Sequence, residues 1–258
     1  LSSAEVASLT TAQVQSMTTA QIAALNRTNI LGLSATQVAV MSSTQVNSIE
    51  ATDMQVMGQA ALQAITSKSI VGLNASQMAA LSSSQVGFLT ERQVSVLSAS
   101  QLGAINTSGV RGFSALQMAV LRADQVVGMT TAQMGALTSD EVAAMATGAV
   151  AALSAGQVAA LTTTNVAGLG TRHLAVLSTA QVAAIETADW AALSAAQVQA
   201  IGAKSLAGLS SSQIAALTTQ TIGLLSSTQV GALSSSQIGV IETADLAGLS
   251  AAQLGSIT

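Results

Sequence analysis

From Leu1 to Ser256 the chain is a tandem array of 32 octapeptides without one insertion, and Ile257 and Thr258 begin a further unit. Typical units are MTTAQIAA (Met17 to Ala24) and LSAGQVAA (Leu153 to Ala160). The first and sixth positions are apolar in all 32 units. The second is Ser, Thr or Asn in 24 and the fifth is Gln or Glu in 20, so polar identity is specified almost as tightly as burial. The eighth is Ala, Gly or Ser in 24, which leaves room for another turn of chain to come close. A fold for this sequence has to repeat every eight residues.

An unbroken helix cannot do so. Eight residues at about 100° each leave a drift of about 80° per repeat, and the apolar stripe would wind around the helix and bury nothing. A plain strand fails because positions one and six have opposite parity and point to opposite faces. A helix restarted in every octad fits. With Thr18 as N-cap, Gln21 stands three residues later, which makes a capping box, and Met17 and Ile22 flank the cap as a hydrophobic staple. The helical piece is then about six residues, from the third position to the eighth. Isolated helices shorter than about 12 residues are marginal in water, so these must be stabilised by stacking on one another. The expected fold is an all-α solenoid or superhelix with one very short helix per octad. The alternative is a β-solenoid with rungs of about 20 residues. The bulk of Ala, Gln, Leu and Met favours helix over it.

A longer period lies over the octad. Gly fills the eighth position at Gly32, Gly72, Gly112, Gly128, Gly168, Gly208 and Gly248, a spacing of 40 residues with one slip of 16. Six of these seven units also lack Gln or Glu at position five, where Asn29, Ser69, Gly109, Asn165, Ser205 and Asp245 stand instead. These glycines read as superhelical corners. A single turn of about 40 residues is the alternative; if five octads make two turns, each turn takes about 2.5 octads. The charged units keep the same order: Glu50 and Asp53 precede Lys68 by two octads, and Glu186 and Asp189 precede Lys204 likewise. A turn of that length predicts inter-turn ion pairs between Glu50 or Asp53 and Lys68, and between Glu186 or Asp189 and Lys204. The acidic pairs, Glu242 and Asp245 included, also have the spacing of a capping box built from acids.

The array reads as one continuous domain over residues 1–258. Its start at Leu1 and its stop within a unit make it read as an excerpt of a longer array. Only 7% of residues are charged, against about 25% in ordinary domains. Seven scattered Lys and Arg and a net charge of −4 give no footprint for nucleic acid. Ser, Thr or Gln recurs every few residues even in the charge-free stretch 205–241, so no membrane span is expected. Without Cys there is no disulfide or thiolate site.

No catalytic constellation is apparent, and no cofactor or metal is expected. The single histidine, His173, takes the place of the position-five Gln and reads as a capping residue. Trp190 at position six, Phe113 at position one and the nine methionines read as core, whereas Phe88 at position eight is an exposed contact or fills a wider corner.

The octad, as in LTTAQVQS (Leu9 to Ser16) and LTTTNVAG (Leu161 to Gly168), resembles the tandem octads of very large bacterial secreted or surface repetitive proteins. That resemblance implies an extracellular or cell-surface location. The motif LTxxQVxAI also resembles the first helix of transcription activator-like effector repeats. Their base-reading pair and positive charge are missing here, so DNA binding does not carry over. The expected function is structural: a stalk, fibre or spacer that associates with itself or with neighbouring array segments. The alternatives are an adhesin-type module for carbohydrate or a surface protein and, more remotely, ice binding through Thr rows.

Overall fold

A computed structural model describes residues 1–257. Among them every octad forms one helical element: thirty α-helices of four to six residues, and two 3-10 turns at Ile30–Gly32 and Val166–Gly168. No strand occurs among the described residues, which removes the β-solenoid alternative.

The local cycle recurs in most octads. Position two is extended, as at Ser42 with φ −72° and ψ 165°, and its hydroxyl accepts from the backbone N–H of Gln45. In return Gln45 Oε1 accepts from the Ser42 N–H at 2.9 Å, which completes the capping box. The position-six N–H donates to the position-two carbonyl, as from Val46 to Ser42 at 2.9 Å. The position-one residue of the next octad then stops the helix. Leu81 is extended (φ −67°, ψ 129°) and its N–H donates to Met78 of the octad just ended. No described glycine has a positive φ, so the chain turns through these extended position-one and position-two residues rather than through left-handed backbone.

The helices divide into two units, Leu1–Ala136 and Leu137–Thr258, with the division falling between two octads. Each unit is a solenoid of its own. Within the first, Ala35–Ala39 packs on Gln59–Ala64 and Ala75–Ala80 on Ala99–Ala104. Within the second, Thr179–Ala183 packs on Ala203–Leu206 and Thr219–Gly223 on Thr243–Leu246. In all four pairs the partners are three octads apart.

Burial gives the same repeat length. Position six is buried from Val6 onward, including Trp190, but it opens in the last three octads, where Leu254 is 45% exposed. Position one is buried from Leu25 to Leu249, Phe113 included, but not at Leu1, Leu9 or Met17. Three octads at either extreme therefore lack the cover of an adjacent turn. A turn consequently takes more than three octads, not about 2.5, and five octads do not close a whole number of turns. The octad fixes its own helix, but the angle between successive helices is set by packing across turns, which the repeat period does not encode.

Candidate functional site

The structure concentrates its polar chemistry in one place, the row of position-five side chains. From the second turn on, a typical Gln has two tasks. Its Oε1 closes the capping box of its own helix, and its Nε2 crosses to main-chain carbonyls one turn back. Gln93 donates to Leu62 and Ile65, both at 2.7 Å and 31 and 28 residues earlier. Gln37 reaches Val6 at 3.0 Å and Leu9 at 2.7 Å, and Gln181 reaches Val150 at 3.0 Å and Leu153 at 2.9 Å. These carbonyls belong to the position-six residue in the last turn of one octad's helix and to the position-one residue of the next octad. Helix ends leave such acceptors without partners of their own, and here the next turn supplies the donor.

At five of the places where Gln is replaced, the substitute keeps the crossing bond, each time to the residue 28 earlier. Asn29 Nδ2 donates to Leu1 at 3.0 Å and Asn165 Nδ2 to Leu137 at 2.9 Å. Ser69 Oγ donates to Met41 at 2.7 Å and Ser205 Oγ to Leu177 at 2.9 Å. His173 keeps both tasks. Its Nδ1 accepts from the Gly170 N–H at 3.2 Å, and its Nε2 lies 2.9 Å from the Met145 carbonyl, which requires the neutral Nε2–H tautomer. Burial is the main cause that pushes the His173 pKa down, and Arg172 adds to it. At Gly109, which has no side chain, the N-cap residue Asn106 takes over and donates to Ala79 at 2.7 Å and Leu81 at 3.1 Å. Among the described residues no buried side-chain polar atom lacks a partner.

The seven position-eight glycines share a second geometry. Each lies against the position-three residue of the octad three earlier: Gly32 on Ser3, Gly72 on Ser43, Gly112 on Ser83, Gly128 on Ala99, Gly168 on Ser139, Gly208 on Thr179 and Gly248 on Thr219. A Cβ at Gly32, Gly72, Gly112, Gly128 or Gly168 would overlap the backbone carbonyl of that residue. These positions are glycine because two backbones touch there.

The acidic and basic residues do not assemble as the spacing predicts. Neither Glu50 nor Asp53 pairs with Lys68, and neither Glu186 nor Asp189 pairs with Lys204; Arg122 instead forms a local, exposed ion pair with Asp124, at 3.0 Å. With more than three octads per turn, groups two octads apart do not come into register. The acidic capping boxes do not form either. Glu50, Glu186 and Glu242 stand at the N-caps but make no side-chain cap bond. Glu lacks the short reach of the Ser, Thr, Asp and Asn side chains that cap well. Asp53 and Asp189 are nonetheless buried, each 3% exposed. Burial first, and then the neighbouring Glu50 or Glu186, raises their pKa above the usual aspartate range, with Arg27 opposing at Asp53.

Phe88 is half-buried, and Gln63 Nε2 donates to its carbonyl at 2.9 Å. Eight of the nine methionines are buried; Met17 is half-buried. A groove of about 360 Å³ runs along Leu31, Val56 and Met57 and has no titratable side chain in its walls. No group of three or more His, Cys, Asp or Glu residues able to hold a metal ion occurs among the described residues. No helix among them is long and apolar enough to cross a membrane.

Residues 182–219 match the family model described as the ALTTAQ repeat. The wording of that description is close to this chain's own units, for Leu9 to Gln13 read LTTAQ. The match supports a tandem repeat protein. No curated protein matches the chain.

Proposed function

We propose that the array is a structural segment, a stalk, fibre or spacer, of a large extracellular or cell-surface bacterial protein, and that it associates with further copies or with neighbouring array segments. The observation that carries this reading is how the position-five row is used. Most of its buried amides, its serine hydroxyls and its imidazole are bound to main chain one turn back, so the most ordered polar chemistry in the molecule holds turns together. Donors repeated in most octads suit a module whose length is set by repeat number. The bacterial and surface assignment comes from the likeness of the octads to those of very large repetitive surface proteins.

Electron microscopy of the native parent protein tests the proposal. A long segment of uniform width, whose length scales with the number of octads, is the expected result. A short stem ending in a compact body that binds glycan or protein through octad residues would overturn it in favour of an adhesin module.

A further inference from the structure

The crossing bond has one requirement, a donor at position five, and the buried Asp53 and Asp189 do not meet it when ionised. Asp189 lies between two completed bonds of the same row: Gln181 to Leu153 in the octad before it and Gln197 to Leu169 in the octad after, each spanning 28 residues. The same register sets Asp189 at the carbonyl of Leu161. In the first unit, Asp53 lies between the bonds from Gln45 to Met17 and from Ser69 to Met41, again 28 residues each, and the register sets it at the carbonyl of Leu25. An ionised carboxylate only accepts hydrogen bonds, so by this register an acceptor would stand where the neighbouring octads place a donor. A protonated carboxyl would donate as Ser69, Ser205 and Asn165 do.

We infer that Asp53 and Asp189 are proton-operated clasps between turns, open when ionised and closed onto the Leu25 and Leu161 carbonyls when each carboxyl takes up a proton. The charged surroundings favour closure. Asp189 has Glu186 on its own helix, and the octads that its register brings against it, 153–160, 161–168 and 209–216, contain no titratable side chain. Asp53 has Glu50 on its own helix and Arg27 from the turn before, while Ala75–Ala80, packed on its helix, has no charge. The sign follows. A carboxyl whose pKa is higher folded than unfolded takes up its proton more readily in the fold. The added stability is complete below the ordinary value of 3.8 and is lost as pH rises through the raised one. A mildly acid surrounding tightens both units at these positions, and a neutral one loosens them.

The test uses the full chain and its Asp53→Asn, Asp189→Asn and Asp189→Ser variants. It combines an NMR titration of the aspartate carboxyl carbons with thermal melting at pH 7 and near pH 4. Asp53 and Asp189 should titrate above the exposed Asp140. At pH 7 each variant should melt about 2–4 °C above the parent, since Asn and Ser donate at any pH. Near pH 4 that difference should shrink towards zero. The Ser variant, which copies the native arrangement at Ser205, keeps the test decisive if Asn fits poorly. Titration of both aspartates at or below the exposed value, or Asn and Ser variants no more stable than the parent at pH 7, would overturn the inference.

Discussion

The two units run on one repeat but hold their turns together with different regularity. In Leu1–Ala136 the mixed places (Glu5, Asn29, Asp53, Ala61 and Ser69) fall in the first nine octads, and octads ten to seventeen have Gln at position five at every place but Gly109, where Asn106 supplies the missing donors. In Leu137–Thr258 the row is mixed throughout: Glu141, Ala149, Asn165, His173, Asp189, Ser205, Thr221 and Asp245 stand among the glutamines. His173 and Ser205 keep a crossing bond, but the Thr221 hydroxyl turns back to its own N-cap Thr218 at 3.1 Å. The local helix tolerates many residues at this position, while turn-to-turn cohesion depends on which residue it is. The second unit should therefore open first, and hydrogen exchange resolved by segment is the readout that compares them.

The largest effect should come from the backbone contacts common to both. Gly112→Ala in the first unit and Gly168→Ala in the second push a methyl group into the carbonyls of Ser83 and Ser139, and each should destabilise its own unit by about 1–3 kcal/mol. Gly148→Ala is the internal control. Gly148 lies inside the helix Thr147–Ala152 with nothing within 4 Å of an added Cβ, so the same change should stabilise by about 0.8–1 kcal/mol. Equal effects at the two kinds of glycine would remove close approach as the reason for the seven.

Next come the crossing glutamines. Gln101→Ala removes the bonds to Ile70 and Leu73 together with the cap bond to Ser98, and leaves buried carbonyls unpaired, at a cost of about 1–3 kcal/mol. Gln13→Ala, in the first turn, loses only the local bonds with Thr10 and should cost clearly less. Urea unfolding of the two variants checks the difference.

A pH effect should separate the units again. His173 is held neutral by burial, so its contribution is present above its ordinary 6.5 and is lost as pH falls below that value. Exchange around Met145 and His173 should rise as pH drops from 7 towards 5, once corrected for intrinsic rates, and His173→Gln should abolish that local response. The first unit has no histidine and should not show it. The smallest change repairs the mixed row. Thr221→Gln should add a crossing bond and stabilise the second unit by about 0.5–1.5 kcal/mol, read as slower exchange around residues 190–225.

Much of this molecule is written locally. Caps, staples and apolar periods act within eight residues, so one helix per octad could be read from Thr18, Gln21, Met17 and Ile22 without knowing what lay beside them. The turn length could not be read that way, because it depends on how Val6 and Leu9 meet a helix some thirty residues later. The inter-turn ion pairs failed for the same reason, since they assumed a spacing that only packing decides. The second task of Gln was overlooked, although a signal for it exists. A capping box is served equally by Glu, yet position five has Gln in 18 units and Glu in two. What Gln adds is an amide donor, and its prevalence marks a carbonyl to be satisfied elsewhere.

The claim that all of this depends on is that a position-five amide bonds to main chain a full turn back. Isotope-edited NOE spectroscopy of selectively labelled Gln101 tests it directly. Contacts are expected from the Gln101 side-chain amide protons to Ile70 and Leu73, 31 and 28 residues earlier. Contacts confined to Ser98 and its own helix, or contacts to residues about 20 earlier, would contradict it.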